Sequence, residues 1–207
     1  MNSIILLGAG GWARELYWFV RDTWPQARIV FVDDVSDVRG VEIAGTVVPV
    51  VKDWKFEAGF DRFLVGVAEP ALKRPMVAKA LAAGLEPAPT LVHPGAIVRP
   101  DCTLGRGGAI VAHSQLTTNA TIGDYVCVLD STIGHHDVVG DYTTCFPGCR
   151  ISGDVVVGEG CLFGAGTIVR NGLRIAAGVT TGAGTVLVKD VEEEGVTMVG
   201  VPARRLG

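Results

Sequence analysis

A six-residue repeat of apolar side chains occupies the second half of this chain. Every sixth residue from Ile133 to Leu187 belongs to it, and the same spacing continues upstream from Val128 to Val92. Seven of the repeat positions are followed directly by glycine. Neither the helix period nor the strand period produces such a pattern, whereas a fixed period of six is typical of stacked β-helix coils. We therefore predict a hexapeptide-repeat parallel β-helix of about five coils, with the repeat residues inside.

The repeat is interrupted once and ends before the chain does. The step from Val128 to Ile133 is five residues instead of six, so we expect an irregular corner there, immediately before His135. The repeat stops after Leu187, and an open stack of coils needs a cap. We expect residues 189–207 to fold over that end as a capping tail.

The first ninety residues follow other periods. Strands that alternate with helices indicate a small parallel α/β sheet, a Rossmann-like half domain. The predicted strands are residues 3–7, 29–32 and 63–67, and the predicted helices are residues 12–22 and 74–83.

Prolines and glycines set the limits of these elements. We expect Pro75 in the first turn of the second helix and Gly84 at its end. The Pro-rich residues 86–89 cannot continue a helix. A domain boundary at about residue 90 therefore separates an α/β domain, residues 1–90, from a β-helix domain, residues 91–207.

Composition excludes several classes of protein. A net charge of −4 offers no basic surface for nucleic acid, and no apolar run is long enough to cross a membrane. The N-terminus lacks a basic segment with a cleavage site, so we expect a cytoplasmic protein. The five cysteines include no CxxC pair, which favours buried, reduced thiols.

A glycine-rich turn follows the first predicted strand and opens the first predicted helix. The sequence Gly8-x-Gly10-x-x-Ala13 is typical of loops that bind phosphate through backbone amides, and Asp33 ends the next strand, where a ribose-binding acid lies. Ninety residues suffice for one mononucleotide-binding half. We expect a nucleotide or nucleotide-linked substrate here; the alternative is a tight structural turn.

One of the four histidines is a candidate base. His93 precedes Pro94 at the domain junction and fits a structural role, and His113 lies off the repeat and should point outward. His135 lies just past the irregular corner and is followed by His136. Imidazole is the commonest general base near neutral pH.

The order of these motifs along the whole chain resembles a known family. Bacterial sugar acetyltransferases of the sialic-acid O-acetyltransferase and bacillosamine/perosamine N-acetyltransferase group show the same succession. The matching segments are residues 8–15, residues 31–34, Val92-His93-Pro94, His135 five residues before Gly140-Asp141, and Gly200-Val201-Pro202-Ala203. The resemblance implies a homotrimer of left-handed β-helices with active sites between subunits. It also implies acetyl-CoA as co-substrate and a nucleotide-sugar held by the N-terminal domain.

The resemblance assigns residues to each part of the reaction. His135 matches the base, and Gly153 matches the position whose N–H faces the thioester oxygen. We place His136 with them in the catalytic set. The positions that match the acetyl-CoA groove are Thr144, Ala165 and Ala183. Those that match the nucleotide-sugar site are Gly10, Gly11, Trp12, Asp33, Asp34 and Ala68.

This chain departs from the family beside the base. Many relatives carry Asp or Glu after the catalytic histidine, where this chain has His136. Asp137, or an acid from elsewhere in the fold, is an alternative partner for His135. A zinc site of the carbonic anhydrase type needs two histidines five residues apart, and no pair here has that spacing, so we expect no metal.

The sequence thus predicts an acetyl-CoA-dependent N-acetyltransferase that acts on a nucleotide-linked 4-amino-sugar. His135 would take a proton from the acceptor in a direct transfer without a covalent intermediate. Two other functions stay open: a sugar O-acetyltransferase of the sialic-acid type, and a nucleotide-sugar binder without catalysis.

Overall fold

The computed structural model describes residues 1–34 and 40–207. The N-terminal part is a six-stranded sheet with two helices. Its elements are β1 (Ser3–Leu7), α1 (Gly11–Thr23), β2 (Arg28–Val32), β3 (Gly40–Ile43), β4 (Thr46–Val51), β5 (Arg62–Val65), α2 (Pro70–Ala82) and β6 (Glu86–Pro87). The strand order is β3-β4-β2-β1-β5-β6, and every pair is parallel except the hairpin of β3 and β4.

The two helices contact different faces of this sheet. Side chains alternate along β1, so Ile4 and Leu6 pack with α1 while Ile5 and Leu7 pack with α2. All four side chains are fully buried. The continuous apolar run of β1 therefore reflects a strand covered on both faces.

The second part is a three-sided parallel β-helix. The first sheet contains Leu91–Val92, Ala109–Ile110, Cys127–Val128, Thr144–Cys145, Leu162–Phe163, Thr180–Thr181 and Thr197–Val199, with Arg204–Arg205 added antiparallel. The second sheet contains Ile97–Val98, Gln115–Leu116, Thr132–Ile133, Arg150–Ile151, Ile168–Val169 and Val186–Leu187. The third sheet contains Thr103–Leu104, Thr121–Ile122, Val138–Val139, Val156–Val157 and Arg174–Ile175.

The predicted inward repeat is confirmed. The second residue of the two-residue strands points into one continuous core, which includes Ile133, Cys145 and Phe163 with no exposed surface. The five-residue step shortens one coil without breaking the stack: Cys127 pairs with Thr144, 17 residues on, whereas Thr144 pairs with Leu162, 18 residues on. All five cysteines are free thiols.

Each corner of the coil carries one residue in the left-handed backbone region, and equivalent corners stack in columns. Between the second and third sheets the column contains Asn119, His136 and Asp154, with φ of 55°, 59° and 63°. We call residues 134–137 in this column the His135 corner. Asn, Asp and His are the non-glycine residues that best tolerate this conformation.

The tail packs on the last coils. Val191, Val196, Met198 and Ala203 join the β-helix core, and the Val186 N–H donates to Gly200 O at 3.0 Å. Within the described residues, no helix has the length and apolarity needed to cross a bilayer.

A buried lysine joins the two parts. Lys73 on α2 is fully buried, and its Nζ donates to the carbonyl oxygens of Tyr125 and Thr143 at 3.0 and 3.2 Å. Burial lowers the pKa of Lys73. Nearby, the Arg74 guanidinium lies over the Tyr142 ring, 4.3 Å from its centroid. These contacts fix α2 against the first sheet and the corner that precedes it.

Three details of the N-terminal part differ from the sequence predictions. Helix α2 begins at Pro70, four residues early, because Pro70 takes the first helical position; Pro75 lies inside the helix, not in its first turn. Strand β5 ends at Val65 instead of residue 67. The β3–β4 hairpin was not predicted; its turn uses Ala44 and Gly45, both with positive φ.

Candidate active site

One cavity opens at the carboxyl ends of β1 and β2. Its volume is about 550 Å³. The residues that the resemblance assigns to the nucleotide-sugar all line it: Gly10, Gly11, Trp12, Asp33, Asp34 and Ala68. They meet because parallel strands place their carboxyl ends at one edge of the sheet, where α/β proteins bind ligands.

The first turn of α1 faces this cavity. Gly10 is the N-cap and provides no side-chain hydrogen bond, and the first helical bond runs from the Arg14 N–H to Gly10 O. The backbone N–H groups of the first turn therefore have no acceptor within the helix. Such groups, together with the positive end of the helix dipole, bind phosphate.

The acidic residues of the cavity hold two of its walls together. The Ala9 N–H donates to Asp33 Oδ2 at 3.3 Å. Asp34 forms an ion pair with Lys79 of α2, and the hydrogen bond from Lys79 lowers the pKa of Asp34. Lys79 also lines the cavity and was missed by the sequence analysis. Its helical spacing from Met76 and Leu72, which line the same cavity, is the signal that could have found it.

Thr144 reaches this region from the first sheet of the β-helix. Its Oγ1 donates to Ala68 O at 2.6 Å, and the residue is fully buried. A residue assigned to the acetyl-CoA groove therefore contacts one assigned to the nucleotide-sugar site.

The other two groove residues lie on a different corner, between the first and second sheets. Ala165 and Ala183 are exposed and occupy equivalent positions in successive coils. The Gly184 N–H donates to Ala165 O at 2.8 Å, which stacks the two corners.

The two adjacent histidines contact each other at the His135 corner. The Nδ1 atoms of His135 and His136 are 3.1 Å apart, and both side chains are about half exposed. Asp154 lies in the next coil, with carboxylate oxygens 3.7 Å from His135 Nδ1 and 3.9 Å from His136 Nδ1. Asn119 lies in the preceding coil, with Nδ2 3.2 Å from His136 Nε2.

Gly153 occupies the position equivalent to His135 in the next coil. A Cβ atom on Gly153 would lie 2.3 Å from both Cε1 and Nε2 of His135. Only glycine therefore lets this edge of the imidazole ring pack against the next coil. Among the described residues, no hydrogen bond uses the Gly153 N–H as its donor.

Asp137 stabilises the corner itself. It is fully buried; its Oδ2 accepts from the Gly134 N–H at 2.7 Å and its Oδ1 from the Val155 N–H at 2.9 Å. Burial raises the pKa of Asp137 to about 6, against the opposing effect of these two hydrogen bonds. With both oxygens engaged by the backbone, Asp137 makes no hydrogen bond to His135.

One group of described residues has the spacing of metal ligands. His135, His136 and Asp154 each offer a ligand atom within 4.8 Å of the others, and all three are exposed. The 3.1 Å separation of the two imidazole nitrogens is also that of a hydrogen bond, which requires no ion.

The predicted site residues thus fall into separate places on one chain. The nucleotide-sugar residues form the cavity and Thr144 adjoins it, whereas the His135 corner lies between the second and third sheets. In a three-sided coil this corner is opposite the first sheet, against which the N-terminal part packs.

Full-length relatives are found by sequence and by structure. The chain is 30% identical to the GDP-perosamine N-acetyltransferase of Escherichia coli O157:H7, over all of this chain and 97% of that protein. The chain belongs to the family of β-helix sugar N-acetyltransferases.

Two solved structures are similar over the full length of this sugar N-acetyltransferase. The acetyltransferase domain of PglB from Neisseria gonorrhoeae, in complex with acetyl-CoA, has a TM-score of 0.88 and 28% identity, with all of both chains covered. A mutant of perosamine N-acetyltransferase from Caulobacter crescentus, in complex with CoA and GDP-perosamine, also has a TM-score of 0.88 and 28% identity, and 98% of it is covered. No protein-family model matches the chain.

The sugar N-acetyltransferase family makes the protein an acyltransferase, and Gly153 tests where its reaction occurs. We expect Gly153→Ala to lower kcat at least about 100-fold, because the new methyl group displaces the His135 ring and general bases contribute 10²–10⁴ in rate. The control is Asn171→Ala, at the exposed, equivalent position one coil further. Steady-state CoA release measures both variants; equal activity of the two would contradict the assignment.

Asp137 gives the stability of this sugar N-acetyltransferase a defined pH dependence. Its raised pKa means that the folded state binds a proton more tightly than the unfolded state does between about pH 4 and 6. The free energy of unfolding of the wild type should therefore fall by about 3 kcal/mol as pH rises through that window. Asp137→Asn cannot ionise and lacks this component. Urea unfolding of both proteins from pH 4 to 7 measures the difference; parallel curves would contradict the buried acid.

Proposed function

We propose that this enzyme transfers the acetyl group of acetyl-CoA to the amino group of a nucleotide-linked 4-amino-sugar. The full-length similarity to GDP-perosamine N-acetyltransferase carries the proposal. A similar structure holds CoA together with GDP-perosamine, so a GDP-linked 4-amino-sugar is the first candidate substrate.

We assign the nucleotide-sugar to the cavity beside α1, within a Rossmann-like domain of residues 1–90. A volume of about 550 Å³ suits a ligand of this size. The first turn of α1 would bind the diphosphate, while Asp33 and Asp34 would meet the base and ribose. The turn that the sequence left open as merely structural fits a phosphate site because the helix begins at the cavity.

His135 is the proposed base. As the amine nitrogen attacks the thioester carbonyl, its proton passes to His135 Nε2, the nitrogen directed away from His136. The Gly153 N–H, which has no acceptor among the described residues, would donate to the developing oxyanion. The carbon–sulfur bond then breaks, and CoA leaves as a thiolate that takes up the proton from His135.

The cysteines support direct transfer without an acyl-enzyme. Burial raises the pKa of Cys161 to about 11 and that of Cys145 well above its usual value. Both thiols stay protonated at neutral pH, and a protonated thiol is a poor nucleophile.

The active site is proposed to lie between subunits of a left-handed homotrimer. The cavity and the His135 corner lie on opposite sides of one chain, so a sugar bound in the cavity would meet His135 of a neighbour. Val138 and Val156, beside that corner, are 40% and 36% exposed, which fits a face covered by another copy. Thr144, Ala165 and Ala183 would line the acetyl-CoA groove. The cytoplasmic location and the capping role of the tail stay predictions.

The reaction is tested by CoA release with UDP-, GDP- and dTDP-linked 4-amino-sugars, with the matching 4-hydroxy sugars as controls. We expect turnover with one 4-amino-sugar only, and at least about a 100-fold loss of kcat in His135→Ala with binding retained.

Other outcomes would select the rival functions. Acetylation of the 4-hydroxy sugars would indicate an O-acetyltransferase. Saturable nucleotide-sugar binding without any CoA release would indicate a binding protein. Full turnover by His135→Ala in a folded protein would remove His135 as the base.

The shared site is tested by mixing two inactive variants. His135→Ala lacks the base, and Gly11→Trp fills the cavity, where Gly11 faces open space. Random mixing of the subunits should restore about a quarter of wild-type activity, because that fraction of interfaces pairs an intact cavity with an intact base. A site contained in one chain would show no recovery. Mixing each variant with itself is the control.

A further inference from the structure

A catalytic imidazole needs a partner for its second nitrogen. A histidine base must keep one ring nitrogen unprotonated toward the substrate while the other donates its proton to an acceptor. At His135 the nitrogen that faces protein groups is Nδ1, which contacts His136 Nδ1 at 3.1 Å. Asp154 is the nearest carboxylate, at 3.7 Å, beyond the length of a hydrogen bond.

The two imidazoles admit two arrangements of their protons. In the first, His135 Nδ1–H donates to His136 Nδ1, so His136 carries its proton on Nε2 and His135 Nε2 is free to accept one. In the second, His136 Nδ1–H donates to His135 Nδ1, so His135 carries its proton on Nε2 and cannot act as a base. Only the first arrangement supports the proposed reaction.

Asn119 selects between these arrangements through the far side of His136. Its amide lies 3.2 Å from His136 Nε2. An amide that presents its nitrogen requires His136 Nε2 to accept, which is the second arrangement. A half-turn of the amide presents its oxygen, accepts a proton from His136 Nε2–H and gives the first arrangement.

The β-helix holds Asn119 where this choice operates. The His136 N–H donates to Thr118 O at 3.0 Å, and the Asp154 N–H donates to His135 O at 2.8 Å, so three successive coils are in register at this corner. Asp154 near both Nδ1 atoms favours the positive charge that His135 acquires during transfer.

We propose that Asn119 and His136 are positioning residues that keep His135 Nε2 unprotonated, with the Asn119 carbonyl oxygen accepting from His136 Nε2–H. This inference rests on the proposed acetyl transfer. It assigns to a neutral imidazole and an amide the role that a carboxylate after the base has in many relatives that the chain resembles.

The left-handed backbone at position 119 decides which variants to use. Asn119→Gly removes the amide without backbone strain, and Asn119→Asp supplies acceptor oxygens only and tolerates φ of 55°. We expect Asn119→Gly to lower kcat about tenfold with both KM values unchanged, and Asn119→Asp to retain wild-type kcat. His113→Gly is the matched control, an exposed left-handed residue on another corner, with no expected change.

A double-mutant cycle separates positioning from a structural effect. His136→Asp supplies a carboxylate directly to His135, so Asn119→Gly should cost nothing in that background. An equal loss in both backgrounds would overturn the inference. So would activity that a chelator abolishes and zinc restores, because the corner would then be a metal site.

The ¹⁵N chemical shifts of the histidine ring nitrogens report the tautomer independently of turnover. We expect His135 to carry its proton on Nδ1 in the wild type and in Asn119→Asp, and a mixture in Asn119→Gly. A proton on Nε2 of His135 in the wild type would overturn the inference. A wild type without any acetyl transfer would instead refute the proposed function, whatever the tautomer.

Discussion

Hydrogen bonds between successive coils determine almost everything about this molecule. A strand of two residues has no stability alone, and each gains it by pairing in parallel with the strand one coil before and one coil after. The pairing places every residue over its equivalent 17 or 18 positions away. The core column, the glycine corners and the His135 corner are all products of that register. The shortened coil shows how strict it is, because one deleted residue is absorbed at a corner while the strands on both sides stay paired.

The stacking also explains how a polar site can form on a narrow prism. No single coil contains the His135 corner: Asn119, His135 and Asp154 come from three coils, and Gly153 supplies the space that the imidazole ring needs. The N-terminal part is attached by different means. It uses a buried amine, Lys73, and a hydroxyl, Thr144, which hold the nucleotide cavity at a fixed place on the first sheet.

The sequence predicted what depends on short periods and missed what depends on long-range packing. The inward column and β1 were confirmed because spacings of six and two determine them directly. The start of α2 was wrong because two prolines competed for the first turn, and Pro70 took it. The hairpin of β3 and β4 lacked a strong turn signal, since Ala44 is a poor indicator of positive φ. Asp154 was missed because its neighbourhood with His136 appears only when the coils are counted through the five-residue step.

The left-handed corner places a limit on chemical variation beside the base. Position 136 has a φ of 59°, which glycine, asparagine, aspartate and histidine adopt at low cost and branched or bulky residues do not. Three of these four residues carry a side chain that can bind an imidazole. The backbone therefore acts as a filter on sequence, and most of what passes it is able to orient a histidine. Exchange of one orienting group for another at this corner needs a single substitution and leaves the fold unchanged.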